Sequence, residues 1–64
     1  MTGVTVGDFY EDEYGTIFEI VATTINSVTI NRLRDNVAQT LDVSMVRSWI
    51  SNGALTIYLS ADEI

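Results

Sequence analysis

The residues best equipped for chemistry sit close together near the N-terminus, in the run Asp8-Phe9-Tyr10-Glu11-Asp12-Glu13-Tyr14. Four carboxylates within six positions raise the question of a divalent cation, because hard ions take several carboxylate oxygens. The spacing argues against it. A calcium loop sets acids at alternate positions, with a glycine at the bend and a late glutamate. Here Glu11, Asp12 and Glu13 are consecutive, and on a strand Asp12 points away from its two neighbours. The cluster reads instead as a solvated hairpin tip whose charge discourages edge pairing. No metal and no cofactor are expected.

The remaining charges narrow the function further. Nine acids face three arginines, Arg32, Arg34 and Arg47, for a net charge of −6. Phosphate binding rests on basic side chains, so this balance argues against a nucleic-acid binder. It also repels anionic membranes. An acidic, lysine-free surface can instead mimic nucleic acid and block a basic groove, although nine acids make a sparse ladder and ordinary solubility explains them as well. Arg32 and Arg34 can grip a phosphate or a carboxylate; pairing with nearby Glu19 or Asp35 is the simpler expectation. Catalysis is not expected. Ser and Thr are plentiful, but there is no His, Lys or Cys to activate them. Two carboxylates can cleave glycosides, yet 64 residues offer little depth for such a pocket. No transmembrane run and no signal peptide are visible, so a cytoplasmic location is expected, the host's cytoplasm if the chain is phage-encoded.

The elements that must position these residues are mostly strands. The chain is rich in Val, Ile and Thr, which suit a pleated, half-buried surface. Val4-Thr5-Val6 alternates and opens a first strand, with a bulge at Gly7 and continuation through Glu11. Asp12-Glu13-Tyr14-Gly15 has the chemistry of a tight turn. The second strand, 16–23, carries Phe18, Ile20 and Ala22 on one face and Ile17, Glu19 and Val21 on the other, which predicts a central position. Residues 24–27 turn the chain, 28–33 alternate, and 34–36 turn it again. A fourth strand runs over 37–43. The period then changes. Met45, Val46, Trp49 and Ile50 form a helical stripe, which predicts a helix over 45–52 with Ser44 as N-cap and Gly53 just past its end. Residues 54–59 alternate once more, and 60–64 read as a fraying tail.

Five short strands with one short helix make this an all-β chain: a small five-stranded barrel or a bent antiparallel sheet, one domain over 1–64. A helical turn before the last strand resembles SH3-like small barrels. The opening Gly7-Asp8-x-Tyr10-x-Asp12-x-x-Gly15-x-x-Phe18-x-Ile20 is similar to the first hairpin of that class. Short proteins with this opening occur among bacteriophage and prophage accessory proteins, so the resemblance implies an origin of that kind. It also implies a role for the acidic run. In peptide-binding SH3 domains a tyrosine-bearing first strand and an acidic loop grip basic, proline-rich ligands. Tyr10, Glu11, Asp12, Glu13 and Tyr14 are then the partner-binding residues, with Trp49 completing a groove. The pattern departs in that the single Trp lies in a helical stripe and the usual Pro and Tyr after it are missing. On the competing view Tyr10 packs at the barrel rim and Trp49 in the core.

The expected function is a small non-catalytic module that binds another protein or itself. An acidic inhibitor of a nucleic-acid-binding enzyme and a structural subunit of a phage assembly are the alternatives. Self-association is expected because so short a chain has little interior for its apolar residues, and no disulfide or metal to staple it. A homodimer is the simplest closed assembly. Its expected contact is the outward stripe Ile17, Val21 and Leu33, with strand edges as the alternative.

Overall fold

A computed structural model describes residues 4–61. Its elements follow in the order β1 (Phe9–Asp12), β2 (Ile17–Thr23), β3 (Ser27–Arg32), β4 (Val37–Asp42), α1 (Val43–Ser51) and β5 (Leu55–Leu59). The strands form one antiparallel sheet in the order β4-β3-β2-β1-β5. The fold class is therefore mainly β with a single short helix. β2 is central, as its two apolar faces predict.

The sheet does not close into a barrel, because β4 and β5 stay at opposite edges. What joins them is α1. A nine-residue helix spans about 13.5 Å, enough to carry the chain from one edge towards the other over the sheet. Its Val46 is wholly enclosed and completes a core of Tyr10, Ile20, Val28, Ile30 and Leu55. These five strand residues come from β1, β2, β3 and β5, so one face of the sheet holds the interior.

The helix starts two residues earlier than the stripe suggests. Asp42, not Ser44, is the N-cap: its Oδ1 accepts the Ser44 N–H at 3.0 Å and the Ser44 hydroxyl at 2.9 Å. Aspartate and serine both cap well. The earlier start moves Val43 from strand to helix and adds it to the buried stripe. Val43, Val46, Trp49 and Ile50 pack on the core, whereas Met45 is 47% exposed. The far end agrees with expectation: Asn52 is the C-cap and Gly53 follows at φ 87°, the left-handed region that glycine enters freely.

Two further expectations are corrected. Val4-Thr5-Val6 is not a strand. Residues 5–8 form a turn, closed by the Asp8 N–H on the Thr5 carbonyl at 3.0 Å, and β1 starts at Phe9. In β2 a bulge lies between Ile20 and Ala22, since Ile20 faces Ile30 while Ala22 faces Thr29. The extra residue moves Ala22 off the face it would share with Ile20.

Candidate functional site

The tightest local structure in the acidic run is built by Asp12. Its Oδ1 accepts the N–H groups of Tyr14 and Thr16, each at 2.9 Å, while its own backbone pairs with Thr16 and Gly15. An aspartate that binds amides two and four residues ahead folds the chain back on itself. Gly15, at φ 83°, takes the turn position that a side chain would strain. The result is a hydrogen-bonded tip on which Glu13 and Tyr14 are exposed. Tyr14 is 86% exposed.

Asp8 does not belong to this tip. It is buried, at 6% exposure, and accepts from the Thr5 N–H at 3.1 Å and the Ala61 N–H at 2.8 Å. Its carboxylate ties the N-terminal turn to the C-terminal segment. The expected fraying of 60–64 is corrected to that extent: Ser60 and Ala61 are half-buried and Ala61 is held, while 62–64 lie outside the described residues. Close packing supports the tie, since a Cβ on Gly7 would stand 3.3 Å from the Ala61 Cβ.

The five expected partner-binding residues separate into three groups. Asp12, Glu13 and Tyr14 line one side of an open groove of about 240 Å³. Tyr10 is in the core, so its ring is not part of that surface. Burial, and after it the negative charge of Asp8, pushes the Tyr10 phenol above its ordinary value, which keeps it protonated. Glu11 alternates to the other face of β1, beside Ile17 and Thr56.

Trp49 forms the opposite wall of the groove, brought there by α1. It is neither fully core nor free; it packs partly on the interior and partly faces the groove. Phe18 from β2, Ile30 from β3, Ala54 just before β5 and Leu55 at its start complete the lining. Asp12 and Glu13 are the only charged residues among these, and both are acids. Three aromatic rings and two carboxylates around an apolar floor suit a cationic group with an apolar stem, since the ring faces and the carboxylates attract the same charge. Phe18 and Leu55 were not singled out from the sequence, because each reads as an ordinary inward strand residue. Nothing in their spacing shows that they meet Trp49.

Ile17 and Leu33 lie together in a second, shallow groove with Tyr14, Thr16 and Arg34, joined by the Leu33 N–H on the Ile17 carbonyl at 3.1 Å. Val21 is four residues further along β2, with Glu19 between it and Ile17. Val21 and Leu33 are exposed and Ile17 is half-buried. Arg32 pairs with Asp35 through two parallel hydrogen bonds of 2.9 Å, Nε to Oδ1 and Nη2 to Oδ2. Arg34 sits in the turn after β3.

Among the described residues no group of three or more His, Cys, Asp or Glu side chains is placed to hold a metal ion. None of the described helices is long and apolar enough to cross a membrane. No protein-family model, curated protein or solved structure matches this chain.

Proposed function

We propose that this chain is a non-catalytic protein-binding module whose groove between the Asp12–Tyr14 tip and Trp49 takes a cationic segment of a partner protein. The observation that carries the reading is the meeting of Trp49 with the acidic tip across an apolar floor, although they are more than 30 positions apart in the chain. A net charge of −6 steers a basic partner towards the molecule, and the carboxylates of Asp12 and Glu13 orient it at the groove. Apolar contact with Trp49 and Phe18 supplies the affinity that exposed charges alone do not. The opening hairpin's similarity to small β-proteins of phage and prophage supports an accessory role of that origin as part of the same reading.

The test is selection of binders from a random peptide display library, followed by titration of the selected peptides against Trp49 fluorescence. Enriched peptides should place Arg or Lys beside a large apolar residue. Their affinity should fall as salt rises, and Glu13→Lys should weaken binding at least tenfold with an unchanged melting temperature. Enrichment of uncharged or acidic peptides, or indifference to Glu13→Lys, refutes the proposal.

A further inference from the structure

We propose that a second copy of this chain pairs along the outer edge of β5, antiparallel and about a two-fold axis, so that the two sheets run on as one. The strand order leaves one side of β5 without a neighbouring strand among the described residues. Natural sheets usually guard such an edge with charge or proline. β5 has neither. Its sequence is Leu-Thr-Ile-Tyr-Leu, and no charged residue occurs between Ala54 and Ala61. Ile57 is 53% exposed and Tyr58 61%, and Leu59 is exposed beside them. The patch extends past the strand. Leu59 faces Phe9, and the Asp8–Ala61 bond holds the turn carrying exposed Val6 at this same end.

The occupant is a second copy because of charge and of symmetry. Two chains of net charge −6 repel, and they can join where neither brings a carboxylate to the contact. An antiparallel two-fold centred on Thr56 sets Leu55 of each copy beside Ile57 of the other, apolar against apolar. Tyr58 is the extra residue of a bulge, since Phe9 faces Leu59 and Tyr10 faces Ile57. It lies outside that ladder, free to cover the join. Val6, Ile57, Tyr58 and Leu59 are the exposed apolar and aromatic side chains that such a join would cover.

The competing surfaces fit less well. β4 is the other edge; Val37, Ala38, Gln39 and Thr40 are exposed on it, but the Arg32–Asp35 pair and Asp42 bring charge to its ends. The stripe Ile17, Val21 and Leu33 is interrupted by Glu19.

Sedimentation equilibrium of the wild-type chain from low to high micromolar concentration tests the proposal. The expected mass is twice the 7.1 kDa of one chain. Ile57→Lys should return it to one chain with the far-ultraviolet circular dichroism of the wild type, while Gln39→Lys and Val21→Lys remain dimeric. Should Ile57→Lys fail to fold, hydrogen exchange on the wild type decides. Protection of the β5 amides must rise with protein concentration. A monomer throughout, β5 protection that ignores concentration, or a dimer lost in Gln39→Lys or Val21→Lys but kept in Ile57→Lys overturns it.

Discussion

Two aspartates four positions apart in the same acidic run have opposite fates, and neither is a simple solvated charge. Asp12 folds the tip of the first hairpin, and Asp8 is enclosed between two backbone amides. A buried acceptor that loses its side chain leaves its donors unpaired, at about 1–3 kcal/mol. Asp8→Ala should therefore destabilise by about that much in urea titration. Asp8→Asn should fall between it and the wild type, because an amide offers one oxygen where the carboxylate offers two. If Asp8→Ala unfolds at the wild-type midpoint, the carboxylate is not holding the ends together. Trp49 also has two duties, since it supports the core and walls the groove. Its truncation then mixes stability with binding, which is why Glu13, at the exposed tip, is the cleaner probe of the groove.

At the scale of the helix, packing on the sheet decides which residues are buried. The inward positions are Val43, Val46, Trp49 and Ile50, while Met45, about 100° round the helix from Val46, turns to solvent. Val46→Ala should cost about 2–3 kcal/mol, the transfer of two methyl groups plus the cavity they leave. Met45→Ala should stay within about 0.5 kcal/mol of the wild type. Equal losses at the two sites would contradict this helix phase. The cap also makes the fold sensitive to acid. The Ser44 amide, and after it the Ser44 hydroxyl, hold the Asp42 carboxyl below the usual carboxylate range. Asp35 is lowered in the same direction, first by its hydrogen bond with Arg32. A carboxyl whose value is lower in the folded chain stabilises fully above the unfolded value of about 3.9 and loses that contribution as the pH falls through the folded one. The melting temperature should accordingly drop below about pH 4. Asp42→Asn, which can still cap but does not titrate, should show a shallower drop.

For the whole molecule the controlling fact is the size of the interior. The described core is five apolar residues on one face of an open sheet and Val46 of α1, and a lone core in a chain this short supplies at most about 3–5 kcal/mol. Truncating a fully buried isoleucine costs about 2–5 kcal/mol. Ile20→Ala should thus be largely unfolded at room temperature by circular dichroism, and a cooperative melt close to that of the wild type would show that stability comes from elsewhere. The open sheet also separates the two surfaces available for binding by chemistry. The groove at the hairpin tip is acidic and aromatic, while the β5 edge is uncharged and apolar, and the two meet only at Leu55. The proposed cationic segment and the proposed second copy therefore contact largely different residues.

Local pattern by itself determined that there are five strands, the turns between the first four and the existence of one helix, but not that residues 5–8 turn or that Val43 is helical. Alternation of Val28 and Ile30 with Thr29 and Asn31, the turn chemistry at Asp12–Gly15, and Gly53 after a helical stripe are all readable from a few neighbouring residues. The two apolar faces of 16–23 likewise marked the central strand. Only the tertiary structure decided the rest, because each remaining question turned on residues far apart in the chain. Whether Asp8 is solvated depends on Ala61, 53 positions later. The side to which Ala22 turns depends on how β3 pairs across a bulge. Whether the sheet closes depends on where α1 sets down β5. The groove needs Asp12, Phe18, Trp49 and Leu55 from four elements, and no local spacing encodes that meeting, because it arises from packing the helix on the sheet.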